Sequence, residues 1–434
     1  MKKMLIYRDH EYKELIRDTL KAMEMSEKKD AGCSSGQEKD DLESLVTGIA
    51  GRLIEFVSEY GFYGNLWQML ITYVLVSDEN EYSKACEIRG NVEGSLNEAA
   101  IHDLSVFKEW FDHDLSFLDE REGGSLKSLI SDYKGSAVNG KHFMKGMNDI
   151  LLRLSKTLSE KKDVYGFKDE LTGFYKHYGA GKFGLNAAFR VSVKKKGGAN
   201  LIPVSNVRDI SLDDLVGYEL AKQKLIENTE AFVEGRNANN CLLFGPAGTG
   251  KSSSIKAVLN MYRDRGLRMI ELNKDQFRVL YDVMDQIKDR NYRFIIYMDD
   301  LSFEDFETDY KYLKAMIEGG LEERPDNVLI YATSNRRHLI KESFSDRNDR
   351  DDELHISDTM QEKLSLSARF GVTIYFGSPD KKEFNRIVKE LADRYGINMP
   401  EDELISEANK WELSHGGLSG RTAQNFIDHL AGRG

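Results

Sequence analysis

Cysteine and proline are scarce in this chain of 434 residues, which holds three Cys and five Pro. Cys33, Cys86 and Cys241 form no C-x-x-C pair. Neither a disulfide framework nor a zinc site is therefore expected, which fits a reducing compartment. Few prolines and no low-complexity tract argue against long disordered linkers. No apolar run approaches the length of a membrane span. The opening MKKMLIYRDHEYKEL brings in charges too early for a signal peptide. A cytoplasmic location with no membrane attachment is the expectation. Excess positive charge is missing too. The formal net charge is −12, which argues against broad electrostatic binding to nucleic acid. The run Lys194, Lys195, Lys196 leaves one local nucleic-acid contact open.

What is present is an ordinary soluble composition, 40% hydrophobic and 31% charged, in a chain long enough for two or three domains. Residues 1–165 read as a helical N-terminal domain. Leu45, Ile49, Leu53, Val57 and Tyr60 recur at helical spacing, and Leu66, Leu70, Tyr73 and Val74 continue as a second helix. Residues 28–39 (KKDAGCSSGQEK) are expected to be an exposed loop. No catalytic motif falls in this half. Residues 166–211 read as a connector, rich in Gly and aromatics before the Lys194–196 run. From 212 the pattern changes. Five short apolar runs, at 241–244, 269–272, 294–298, 328–332 and 372–376, alternate with stretches long enough for crossover helices. That alternation predicts an α/β core at 212–378 with a five-stranded parallel sheet. Residues 379–434 return to helical spacing and predict a small helical lid.

The chemistry is concentrated in NNCLLFGPAGTGKSSS, residues 239–254. Gly245, Pro246, Ala247, Gly248, Thr249, Gly250, Lys251 and Ser252 fit the P-loop pattern G-x-x-x-x-G-K-[ST] at every fixed position. Glycines let backbone N–H groups converge on phosphate oxygens, and the helix opening at Ser253 aims its positive end at the same anion. Lys251 reaches the outer phosphates, and the Ser252 hydroxyl can ligate Mg²⁺. A second apolar run, FIIYM, ends in Asp299 and Asp300. Carboxylates at a strand's C-terminal tip lie where open α/β sheets bind ligands. Asp299 is expected to hold Mg²⁺, and Asp300 to orient or deprotonate the attacking water. A third strand, VLIYATS, ends in Asn335, placed to meet the γ-phosphate or its water.

With these motifs in order, the sequence resembles the AAA+ ATPases from Leu212 onward. Asp213-Asp214-Leu215-Val216-Gly217-Tyr218 is similar to the segment that packs on the adenine in that superfamily, which makes Val216 and Gly217 nucleotide contacts. The resemblance makes Asp299-Asp300 the Walker B pair and Asn335 sensor 1. Leu366-Ser367-Ala368-Arg369-Phe370-Gly371 is similar to the arginine-finger box, with Arg369 as the finger. Ser419-Gly420-Arg421 is similar to sensor 2, with Arg421 as the sensing residue. Most relatives carry Asp-Glu where this chain has Asp299-Asp300, which implies slow turnover. The wording NRRHL, EKLSLSARFG, DDLSFE, EGGLEERPDNVLIYATSN and FYKHYGAGKFGLNAAFR resembles one bacterial family of predicted ATPases, domain of unknown function 815. That resemblance reaches back to about Phe174.

The resemblance implies an ATP-binding, Mg²⁺-dependent ATPase that forms a homo-oligomer. Arg369 would be supplied by a neighbouring subunit, and Arg336 and Arg337 are alternative phosphate or subunit contacts. Hydrolysis would drive remodelling or loading of an unidentified macromolecular partner. The other expectation is an assembly switch that binds ATP with negligible hydrolysis. Residues 341–361, dense in both charges, are expected to form a surface loop near the subunit interface.

Overall fold

A computed structural model describes residues 4–8, 10–30, 36–115, 118, 126–135, 143–144, 146–195, 197–205, 207–303, 310–318, 325–337, 339 and 366–433. The charged stretch at 341–361 lies outside them. The chain divides into two units, Met1–Ala187 with Pro203–Val207, and Ala188–Ile202 with Arg208–Gly434.

The first unit is helical. Its centre is the helix Leu66–Ser77, LWQMLITYVLVS, in which every residue from Leu66 to Val76 except Gln68 is buried. A helix apolar on every side must be surrounded to stay in water. The helices Gly36–Tyr60, Ser95–Asp112 and Met147–Glu160 supply that cover. Asn65 caps the helix by accepting from the Gln68 N–H, and the Trp67 indole donates to the Trp110 carbonyl at 2.6 Å. The fully buried Asp103 carboxylate accepts the backbone N–H groups of Leu5, Ile6 and Tyr7 at 2.7–3.1 Å. That pins the N-terminal segment and answers the cost of burying a carboxylate. The expected loop at 28–39 is corrected at both ends, because the helices Lys13–Asp30 and Gly36–Tyr60 run into it. Helical hydrogen bonding there overrides the turn preference of Gly and Ser; residues 31–35 lie outside the description.

The second unit is built on a seven-stranded sheet, ordered β2-β1-β4-β5-β6-β3-β7. The strands are β1 Ala188–Val193, β2 Ala199–Pro203, β3 Cys241–Phe244, β4 Leu267–Glu271, β5 Arg293–Met298, β6 Val328–Ser334 and β7 Val372–Tyr375. The five apolar runs are all present, and β4, β5, β6, β3 and β7 pair in parallel. The expected count of five strands is corrected to seven. The two extra strands lie in the stretch expected to be a connector. Strand β1 joins β4 in parallel, pairing Ala188 with Met269. Its sequence, AFRVSV, mixes buried and exposed positions and is not a continuous apolar run. This is the pattern of a strand with one wet face, whereas β6 is buried along its whole length.

Register places three strand tips side by side. Phe244 of β3 pairs with Ser334 of β6, and Met298 of β5 pairs with Ala332. The P-loop, the two aspartates and Asn335 therefore leave the sheet at one edge. The turn out of β3 is fixed by Gly245. Its φ is 141°, and a Cβ added there would meet the Phe376 carbonyl oxygen at 2.0 Å. Gly245→Ala is expected to destabilise this unit by about 3–5 kcal/mol through strain and overlap with backbone. Denaturant unfolding measures it; a loss below ~1 kcal/mol would contradict the close packing.

The lid follows as the helices Lys381–Tyr395, Glu401–Ser414 and Gly420–Ala431. Asp380 caps the first and Ser419 the last, each accepting a backbone N–H three residues on. Their shared core includes Phe384, Ile387, Leu391, Leu404, Phe426 and Ile427, and Val216 joins it from the segment between β2 and β3. Among the described residues no helix is long and apolar enough to cross a membrane.

Candidate nucleotide site

A cavity of about 880 Å³ opens at the strand tips, within the size range of small-molecule and cofactor sites. Its walls come from the P-loop, the tips of β5 and β6, the segment 208–218 and the lid. The helix Lys251–Tyr262 points its N-terminus at the cavity, after Gly250 in a left-handed conformation with φ 92°. Seven residues of the P-loop and helix start, 247–253, line the space. Four further expected residues, Val216, Asp299, Asp300 and Asn335, line it as well, as does Arg421. Gly217, Gly245 and Pro246, also expected as nucleotide contacts, are not among the lining residues. Gly245 and Pro246 present their carbonyls to the Lys251 ammonium, both at 2.7 Å.

The polar groups form one connected set. Lys251 Nζ donates a third bond to Asn335 Oδ1 at 3.2 Å, and Asn335 Nδ2 donates to Asp300 Oδ1 at 2.8 Å. Ser252 Oγ donates to Asp299 Oδ1 at 2.7 Å, and Thr333 Oγ1 donates to the same oxygen at 2.6 Å. Thr333 Oγ1 also accepts the Asp300 N–H at 2.9 Å. That bond helps hold Asp300 at φ 49°, in the left-handed region that Asp tolerates better than most residues. Thr333 thus locks both aspartates. Sequence alone does not reveal it, because a threonine inside a buried β6 carries no motif signal. The interleaving of β6 between β3 and β5 creates its role.

Electrostatics follow from burial and these partners. Burial opposes the charged form of Asp299. Hydrogen bonds from Thr333 and Ser252, with the nearby Tyr297 hydroxyl and the positive charge of Lys256, outweigh it and hold the carboxyl below the usual range. Burial pushes the Lys251 ammonium down. Asp300 and Asp299 push it back up, and Arg421 pushes it down again. The phenol of Tyr297, behind Ser252 and Asp299, is pushed up by burial first and by the Asp299 charge next.

The lid touches the P-loop directly. The Arg421 N–H donates to the Gly248 carbonyl at 3.1 Å. A Cβ on Gly248 would stand 3.0 Å from both Arg421 Cβ and Ser419 Oγ, so glycine there allows the close approach. On the other side Arg394 donates to the Asp213 carbonyl at 2.6 Å. Tyr218, with φ 64°, donates its hydroxyl to the Gly377 carbonyl at 2.9 Å. Neither Arg394 nor the role of the Tyr218 hydroxyl is visible in the sequence, since both act through main-chain contacts that no motif encodes.

Arg369 is not among the residues lining the cavity. It stands three residues before Val372, which pairs with Cys241 at the end of β3 away from the P-loop. Strand residues advance about 3.3 Å each, so Val372 pairs roughly 13 Å of sheet from the start of the P-loop. Ser367 Oγ donates to the Arg337 carbonyl at 3.1 Å, tying the segment before Arg369 to the residues after Asn335. Arg336 and Arg337 are exposed and also lie off the cavity lining, with Arg337 6.0 Å from the centre of the Phe244 ring.

The donor set suits a small hard cation. Among the described residues no cluster of three or more His, Cys, Asp or Glu could cage a metal. Ser252 and Asp299 offer one hydroxyl and one carboxylate, the sparse protein share that Mg²⁺ uses when phosphates and waters complete its shell.

The strand order, the P-loop and paired aspartates on neighbouring tips, and the lid arginine against the loop define an AAA+ P-loop protein. Within that class the chain belongs to the DUF815 family, described as "protein of unknown function", whose model matches residues 185–434. Curated relatives match over short stretches. The replication factor C large subunit of Staphylothermus marinus is 35% identical over 77 residues, 18% of this chain and 18% of that protein. The probable replication factor C subunit 5 of Dictyostelium discoideum is 32% identical over 102 residues, 23% of this chain and 28% of that one. Among solved structures, a FIGL-1 AAA domain in complex with ADP superposes with TM-score 0.36 at 17% identity, covering 52% of this chain and 74% of that chain. The Thermotoga maritima RuvB Holliday junction branch migration motor gives 0.33 at 14%, covering 51% and 72%.

Proposed function

We propose that this chain is an Mg²⁺-dependent ATPase of AAA+ type, completed by assembly with further copies of itself. The observation that carries the reading is the hydrogen-bonded set Lys251–Asn335–Asp300 and Ser252–Asp299–Thr333 around one cavity, with Arg421 on its lid side. The P-loop N–H groups and Lys251 bind the outer phosphates. Ser252 and Asp299 would hold Mg²⁺, which when bound neutralises phosphate charge. Asp300 accepts the proton of the attacking water, and Asn335 fixes the orientation of that carboxylate. Arg421 adds positive charge from the lid. The absence of Arg369 from the lining of its own chain's cavity supports its acting on the γ-phosphate of a neighbouring copy. The ring or filament so formed remodels or loads a macromolecular partner, a protein or a nucleic acid.

Turnover measured against protein concentration tests this. ATP hydrolysis per chain is expected to rise steeply through the assembly threshold and then level off. Hydrolysis absent at every concentration would overturn the enzymatic reading.

One observation favours a second reading, an ATP-driven assembly switch. Asp300 is shorter than the glutamate most AAA+ relatives carry there, and its Oδ1 is taken by Asn335. ATP would then drive a size change without phosphate release.

A further inference from the structure

We propose that Asp428, held in place by Gln424, reads the sugar hydroxyls of the nucleotide and makes the site selective for ribonucleotides. The inference rests on the nucleotide-site reading and adds a residue that no motif supplies.

Arg421, Gln424, Asn425 and Asp428 follow one another at helical spacing on Gly420–Ala431, and all four line the cavity. The N-terminus of this helix sits on the P-loop, through the Arg421 N–H to Gly248. Seven residues at 1.5 Å each place Asp428 about 10 Å further along the helix than Arg421. That is the direction and scale on which an extended triphosphate leads from its outer phosphate to its sugar. Ile387, Leu391 and Tyr395 run along the neighbouring lid helix and line the same cavity. They give the base an apolar wall next to the proposed sugar position.

The carboxylate is poised. Gln424 Nε2 donates to Asp428 Oδ1 at 2.8 Å and to the Tyr395 hydroxyl at 2.7 Å. Both amide hydrogens are thereby committed, and they fix the side chain between two lid helices. Asp428 Oδ2 accepts no hydrogen bond among the described residues. A carboxylate beside a bound polyanion is repelled unless hydroxyl donors meet it, and paired sugar hydroxyls are such donors. The other outer carboxylates are placed differently. Asp214 accepts the Ser211 N–H at 2.7 Å and lies 3.6 Å from Arg394. Asp209 belongs to the segment that Asn260 ties to the helix Lys251–Tyr262, away from the helix that carries Arg421.

Titration calorimetry on the full chain with Mg²⁺ tests this, using ATP, 2′-deoxy-ATP and 3′-deoxy-ATP. ATP is expected to bind about tenfold tighter than at least one deoxy analogue, the effect of one hydrogen bond to a charged group. Asp428→Ala, at an exposed helix position, should bring that ratio close to one. Gln424→Ala should lower it in part, while affinity for the weaker analogue stays near the wild-type value. Equal binding of all three nucleotides by the wild type, or an unchanged ratio in Asp428→Ala, would overturn the assignment and leave the P-loop reading intact. If the wild type bound none of the three, both would fall together.

Discussion

Arg369→Ala is expected to lower kcat for ATP by ~10³–10⁵, the effect of an arginine that stabilises charge in phosphoryl transfer from a neighbouring subunit. Nucleotide affinity should change little, because the cavity that binds ATP does not contain Arg369. The loss should also be repairable by mixing. Arg369→Ala keeps an intact P-loop and Asp300, and Asp300→Asn keeps an intact arginine, so each is inactive by itself for a different reason. Mixed assemblies should recover part of the rate, since some sites pair an intact Asp300 with a neighbour's Arg369. A mixture no more active than its components, under conditions where they co-assemble, would mean that Arg369 does not act across subunits. The physical basis is position: Arg369 is absent from the residues that line its own chain's cavity.

Lys251→Ala is expected to weaken ATP binding by ~10²–10⁴. Two charge-assisted hydrogen bonds to phosphate, at ~1.5–3 kcal/mol each, account for that range. The fold should survive. Asp299 and Asp300, the charges nearest to the buried Lys251 ammonium, are exposed, so its removal leaves no buried charge uncompensated. The Gly245 and Pro246 carbonyls lose a donor, which limits the gain. A thermal midpoint within about 5 °C of wild type, together with a large loss of nucleotide affinity, is the expected pair of results. Unchanged affinity for ATP would remove the P-loop from the site. A collapse of the fold would instead mean that Lys251 mainly holds the loop together.

The two tests divide the site along its covalent logic. On the proposed reading Lys251 acts within one chain and is needed for binding. On the same reading Arg369 acts between chains and is needed for rate. The assembly-switch reading predicts a different pattern, in which Lys251→Ala abolishes the size change while Arg369→Ala has no rate to lose.

Much of the core is legible in the sequence for a simple reason. Strands β3, β5 and β6 are buried on both faces, so each must be a continuous apolar run, and each run ends where the chain reaches the ligand edge. Gly245, Lys251, Ser252, Asp299, Asp300 and Asn335 can therefore be picked out from spacing alone. The strands β1 and β2 cannot, because a strand with one wet face has no run to display, and a count of apolar runs stops at five. The helical ends of 28–39 are hidden in the same way by local Gly and Ser content.

The sequence by itself determined the P-loop chemistry, the two aspartates and the order of the elements, because these depend on residue type and on spacing along one chain. Only the tertiary structure decided which groups meet. Parallel pairing sets β6 between β3 and β5, and so makes Thr333 the clamp on both aspartates. Packing of the lid on Gly248 brings Arg421 to the cavity and sets Gln424 and Asp428 along its wall. Register sets Val372, three residues after Arg369, at the end of β3 away from the P-loop. These relations join residues far apart in the chain, and they are fixed by hydrogen-bond register and close packing, which local sequence does not encode.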